Sequence, residues 1–259
     1  MSSGAAARAT QIRRGLPIAN GRGLEIGPLA KPLVAKAEGD VLYADFLSTE
    51  ELRAQHASSP FVDAARIVEV DIVLGREPLD VALAPHAPFD YVIASHVFEH
   101  LPNPVRWLQQ LAASMNQGGL LSLAIPDKRY TFDYLRQPTR LSELIANYLD
   151  DVKFPTSVQA LDNNLNVVKI NAADAWRGAV DPEALENYFS PEVAIRYFEQ
   201  TIKIGRFADC HCTVWTCEHF LSTIERLRAD GWIEFEVVTS LPAAPMTDEF
   251  FAVLKLARR

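Results

Sequence analysis

The chain has 259 residues, 49% of them hydrophobic and 22% charged, the balance of a globular protein able to bury a full core without disulfides or metal staples. Lys and Arg number 25 against 33 Asp and Glu, a net charge of −8, which speaks against a basic face for nucleic acid or anionic lipid. The longest uncharged run, Trp107 to Pro126, carries Gln109, Gln110, Ser114, Asn116, Gln117 and Gly118-Gly119, residues expensive in lipid, so no membrane span is expected.

The Ala-rich N-terminus has no apolar stretch and carries Arg8, Arg13 and Arg14. Its first ten residues read as frayed, within an N-terminal extension over 1–20, and not as a secretory signal. Five apolar runs of strand length then follow: 23–28, 41–45, 67–73, 89–96 and 119–126. Their lack of strict polar alternation predicts strands buried on both faces, as in a parallel sheet. Helices lie between them. Ser48 with Glu51 forms a capping box, with Leu47 and Leu52 as its staple. Asn103-Pro104 starts another helix, with Val105, Leu108, Leu111, Ala112 and Met115 on one face and Gly118-Gly119 as its stop. This alternation predicts an open, doubly wound α/β sheet.

After Pro126 the rhythm breaks. Residues 139–205 read as an insertion, with Pro-started helices at Asp181-Pro182 and Ser190-Pro191 and a polar irregular stretch over 161–173. A helix then starts at Thr216, stapled by Trp215 and Phe220, and ends at Gly231. Two last strands, 233–241 and 249–257, are joined by seven residues, too few for a parallel crossover, so they must be antiparallel. The main domain is expected over 21–259.

Ligands of such sheets bind beyond the carboxyl ends of the strands. Those ends hold Glu25, Gly27 and Pro28; Asp45; Asp71; Ser95 and His96; and Asp127 to Arg129. Asp45 follows Gly27 by eighteen residues, where a carboxylate accepts both ribose hydroxyls of an adenosyl group. Asp71 is placed for an adenine amine, and the competing reading of both acids is a solvated loop.

These residues resemble class I S-adenosylmethionine-dependent methyltransferases. The resemblance is carried by Gly-Leu-Glu-Ile-Gly-Pro (23–28), Asp45, FDYVIASHVFEHLPNP (89–104), Gly118-Gly119 and IPDKRYTFDYLR (125–136). It is closest to a bacterial group reading Glu-Ile-Gly-Pro first and Pro-Asp-Lys-Arg after strand five. It implies a seven-stranded Rossmann-like sheet with an antiparallel last strand and S-adenosyl-L-methionine as cofactor. Glu25, Gly27, Pro28, Asp45, Asp71, Ser95 and His96 are its expected binding residues. Leu29 and Lys31 stand where the common pattern has glycines, and Pro28 is expected to fix the loop instead.

His96-Val97-Phe98-Glu99-His100 has the H-x-x-E-H form of a zinc peptidase. It follows directly on a strand, however, and Pro102 and Pro104 interrupt any long helix. The resemblance leaves a divalent cation at Glu99 and His100 as a minority option, and no metal as the favoured expectation. Asp209-Cys210-His211-Cys212, with Cys217 and His219, has zinc-type donors but no C-x-x-C spacing; the sharper reading is His211 facing the pocket with Asp209 orienting it. Lys128, Arg129, Arg136, Asp127 and Asp133 follow strand five, and Arg129, Arg136, Asp133 and Trp176 are the expected acceptor contacts. Residues 139–205, with Tyr148, Trp176, Tyr188 and Tyr197, would form a lid. The expected function is cytoplasmic O-methylation of a sugar, glycan or small metabolite. His100, His96 or His211 would be the base, with Asp127 as orienter or alternate base. The alternative is a methyltransferase-like binding or scaffold protein without catalysis.

Overall fold

The computed structural model describes residues 3–203 and 209–257. Residues 204 and 205 of the expected insertion, and the outermost residues of the expected extension and domain, lie outside that description. Among the described residues one sheet contains β1 (Arg22–Ile26), β2 (Asp40–Asp45), β3 (Ile72–Val73), β4 (Phe89–Ser95), β5 (Met115–Pro126), β6 (Phe235–Leu241) and β7 (Glu249–Leu256). Their order is β3-β2-β1-β4-β5-β7-β6. Pairings from β3 through to β5 are parallel, and β7 runs antiparallel to both β5 and β6. This is the doubly wound α/β sheet with a reversed last strand.

Strand period explains how the sheet is buried on both sides. Along β4, Val92 and Ala94 join one apolar cluster while Tyr91 and Ile93 join the other. The N-terminal α1 (Ser3–Ile12) covers the second face: Ile12 is fully buried there, and its carbonyl accepts the Ser122 hydroxyl. Among the described residues the first helix is therefore anchored at Ile12 rather than frayed, because Ile12 packs into that face with Val34, Val41 and Tyr43.

α2 (Thr49–Gln55) carries the expected capping box of Ser48 and Glu51. β3 is much shorter than the 67–73 run. The Ile67 carbonyl accepts from Arg53 and the Val70 N–H donates to Thr49, so side chains take the groups a strand ladder would need. α3 (Leu79–Leu83) packs beneath the sheet, followed by α4 (Pro104–Ala113), capped by Asn103. α4 ends five residues before Gly118. Met115 already pairs with Phe89 in β5, and Gly118, at φ +82°, sits where the β4–β5 register shifts. The glycine pair thus bends a strand instead of stopping a helix.

The insertion holds α5 (Leu141–Leu149), α6 (Ser157–Asn166), α7 (Ala172–Trp176) and α8 (Pro191–Lys203). The stretch expected to be irregular is largely helical, since Thr156 and Gln159 form a capping box and Asn171 caps α7. Asp181-Pro182 opens only a single 3-10 turn. Tyr148 packs edge-on against Trp232, 5.5 Å between centroids, and so belongs to the core layer rather than a lid. α9 (Cys217–Ala229) starts at the Thr216 cap, with Trp215 and Phe220 in contact as its staple. No helix among the described residues is long and apolar enough to cross a membrane.

Candidate functional site at the open sheet edge

Strand order reverses between β1 and β4, so the crevice beyond their carboxyl ends is where this architecture binds ligands. Gly27 lies there at φ +70°, with a built Cβ only 3.1 Å from Val97 Cγ2. Two residues later Leu29 keeps φ +46° although it is not glycine, and at the end of β4 His96 has φ +53°. The turn therefore holds a non-glycine residue in the left-handed region, at a strain of about 1–2 kcal/mol. Such outliers cluster at functional sites.

Glu25 is buried, and its two oxygens accept the N–H groups of Leu33 (2.7 Å) and Val34 (3.0 Å). It ties down the loop after Gly27. Burial outweighs those bonds and pushes its pKa up to about 7. Asp45 ends β2 nearly buried, accepting the N–H of Phe46 at 2.7 Å, and burial raises its pKa as well. Asp71 precedes β3 instead of ending it. Its carboxylate accepts from Lys36 at 2.6 Å and from the Tyr43 N–H at 2.7 Å, pinning β2 to the loop.

At the end of β4, Ser95 Oγ accepts from Arg8 at 2.6 Å, and Arg8 also forks onto Glu249. His96 Nε2 lies 2.9 Å from Glu249, and its Nδ1 lies 3.3 Å from Glu99. Burial alone would lower the His96 pKa, but Glu249 and Glu99 push it to about 10. The two carboxylates thus favour its protonated form. The following turn, Phe98–His100, is a single 3-10 turn, so no helix presents the H-x-x-E-H pattern.

Asp127 is fully buried and holds Arg129 through bonds of 2.8 and 2.6 Å, while also accepting the Cys217 N–H. It acts as an orienter of Arg129. Tyr130 stacks on Trp176, 4.2 Å between centroids at 7°, and the Trp176 indole donates to the Thr247 carbonyl. Arg136 has no exposure to offer an acceptor. Buried at 2%, it bonds Asp133 (2.7 Å), Asp162 (2.8 Å) and the His211 carbonyl (2.8 Å). Asp133, equally buried, accepts a hydrogen bond from His211 Nδ1 at 2.6 Å. Burial would raise the Asp133 pKa, but His211 and Arg136 together hold it below the usual range. His211 is oriented by Asp133, not by Asp209.

Asp209 instead lies 2.8 Å from His100 Nδ1; burial would lower the His100 pKa, and Asp209 with Glu99 raises it. The His100 and His211 rings meet edge-on at 4.8 Å. Cys217 and His219 sit apart in α9, and the three cysteines are unpaired. Sequence reasoning missed Glu249, Arg8, Asp162 and Asn163. Glu249 was findable, because a strand antiparallel to β5 must begin at the edge where β5 ends.

A parallel sheet with its switch between β1 and β4, an acid closing β2 and a reversed β7 defines the class I methyltransferase fold. The sequence profile described as a methyltransferase domain matches residues 9–201, and the chain belongs to that family. Its cofactor is S-adenosylmethionine, and the residues fit: Gly27 makes a left-handed turn at the end of β1, where a Cβ would press on Val97, and Asp45 offers a carboxylate at the end of the neighbouring β2. No curated protein matches the chain. Among solved structures, a Rhodobacter sphaeroides protein provisionally named a zinc-dependent alcohol dehydrogenase is 14% identical, with 98% of this chain and 90% of that one covered, at a TM-score of 0.50. The CcbJ methyltransferase of Streptomyces caelestis is 12% identical over 99% and 97%, at 0.49. A Listeria monocytogenes protein provisionally named an S-adenosylmethionine-dependent methyltransferase is 12% identical over 98% and 100%, at 0.49. At such identities the likeness is one of fold.

Proposed function

We propose that this methyltransferase methylates a hydroxyl of a small, oxygen-rich acceptor such as a sugar, a glycan end or a metabolite. The observation that carries this reading is the His211 imidazole at the open edge, held through Nδ1 by Asp133 at 2.6 Å, with the His100 ring edge-on to it at 4.8 Å. That bond fixes the His211 ring and leaves its Nε2 lone pair for a ligand, which is what a weakly acidic hydroxyl needs in order to be activated. The cofactor, when bound, supplies a methyl on a sulfonium leaving group, so the chain's main task is alignment. Asp45 and the Gly27 turn would hold the adenosyl end, with Glu25 and Asp71 shaping the loops around it. The stacked Tyr130–Trp176 pair and Arg129 offer an apolar face beside a charge, which suits a polyhydroxylated ring.

The three unpaired cysteines suit a reducing, cytoplasmic setting. The test is methyl transfer from labelled S-adenosylmethionine to a panel of sugars and small alcohols, read by mass. Methyl ethers formed by the wild type and lost in His211→Ala support the reading. Transfer only to amine or carbon acceptors contradicts it.

A further inference from the structure

Glu99 is 1% exposed, and neither of its oxygens has a hydrogen bond among the described residues. Its nearest polar neighbours are His96 Nδ1 at 3.3 Å and His100 Nε2 at 3.9 Å, both from Oε1. His96 faces Oε1 alone, so Oε2 is a buried carboxylate oxygen with no partner among the described residues, which is expensive. The surroundings say which kind of partner it would take.

His211 donates its Nδ1 proton to Asp133, itself clamped by Arg136, so its Nε2 carries the free lone pair. His100 has Asp209 at its Nδ1, and its Nε2 faces Glu99. A carboxylate behind an imidazole is the usual outer support of a metal-ligating histidine. Donor atoms of Glu99, His100 and His211 all lie within 4.8 Å of one another. A tetrahedral ion with bonds of about 2.0–2.1 Å holds its donors roughly 3.4 Å apart. Binding would draw the Glu99 carboxylate and the two rings together to that spacing. Two imidazoles and one carboxylate form a zinc-type set that keeps a position open. Cys210 and Cys212 stay outside it: their sulfurs lie 3.9 Å apart and pack in a small apolar cluster with Ala160.

We propose that Glu99, His100 and His211 bind one divalent transition cation, zinc by donor type, whose open position receives the acceptor hydroxyl. The proposal rests on the hydroxyl reading above and states how the two imidazoles act: as ligands, with the cation acidifying the alcohol. The acceptor O–H bond breaks and its proton passes to water. The oxygen forms the new C–O bond, and the S–C bond breaks with its electron pair left on sulfur. The cation keeps its oxidation state.

The test is a zinc titration of chelator-stripped full-length protein against a competing chromogenic chelator. Expected is one zinc per chain with submicromolar affinity, weakened at least tenfold in Glu99→Gln and in His211→Ala and unchanged in Cys210→Ser. Glu99→Gln keeps the side-chain shape, so its melting temperature separates lost ligation from lost folding. No stoichiometric zinc on the wild type overturns the proposal, as does zinc that survives both ligand variants. A parallel cofactor titration and hydroxyl-methylation assay on the stripped protein separates the two readings. Methyl ether formation at full rate without zinc ends this proposal and leaves the hydroxyl reading standing. Zinc bound as expected, with transfer only to nitrogen or carbon, keeps the site and ends the hydroxyl reading.

Discussion

Asp133 and His211 lie 78 residues apart in the chain and share a 2.6 Å hydrogen bond at the open edge of the sheet. Arg136 makes this possible by bonding Asp133, Asp162 and the His211 carbonyl at once. Arg136→Ala should destabilise the fold by about 3–5 kcal/mol, since it strands buried charges. A thermal melt checks this. An unchanged melting temperature with a raised acceptor KM would instead make Arg136 an acceptor contact.

Leu29 and Gly27 share the left-handed region, at φ +46° and +70°. Leu29→Gly removes about 1–2 kcal/mol of backbone strain and adds roughly 0.5–1 kcal/mol of unfolded-chain entropy. After loss of its half-buried side chain, stability should stay within about 1 kcal/mol of wild type. Gly27→Ala should destabilise by about 1–2 kcal/mol and weaken cofactor binding, because its Cβ presses on Val97. Equal effects of the two changes in denaturant melts would contradict this account of the turn.

Much of the scaffold was legible from local chemistry: the Ser48 and Thr216 caps, the Asn103-Pro104 start and the reversed final strand all stand as read. What failed was information carried by distant partners. Ile67–Asp71 looks like a strand, but Arg53 and Thr49 take its backbone groups. Arg8 looked like part of a loose tail, yet it reaches Ser95 and Glu249, 87 and 241 residues away. Asp162 and Asn163 were indistinguishable from surface polar residues until α6 folded over Arg136.

Glu25 gives a pH signature. Its folded pKa, near 7 against an ordinary 4.5, reflects burial, with the Leu33 and Val34 N–H groups, Arg13 and Arg8 all pulling the other way. A raised carboxyl pKa means stability that is complete below pH 4.5 and lost as pH rises through 7, by up to about 3 kcal/mol. Denaturant melts of wild type against Glu25→Gln over that window should show the extra decline in wild type only. Parallel curves would contradict it.

Trp176 stacks on Tyr130 and donates to Thr247. If this pair forms the acceptor platform, Trp176→Ala should raise acceptor KM about tenfold or lower kcat, with cofactor affinity within a few-fold. Equal loss of cofactor affinity would show the helix to be support for the sheet edge.

Calorimetric titration of S-adenosylmethionine into wild type and Asp45→Ala tests the account most directly. Asp45 closes β2 one strand from the Gly27 turn, and its carboxylate should take two charge-assisted hydroxyl bonds. Wild type should bind the cofactor, and Asp45→Ala should bind it roughly 10–100-fold more weakly, water replacing part of the lost bonding. Its ligand-free melting temperature should barely move. Equal affinities in the two proteins, or no binding by wild type at millimolar cofactor, would contradict the placement of the cofactor site.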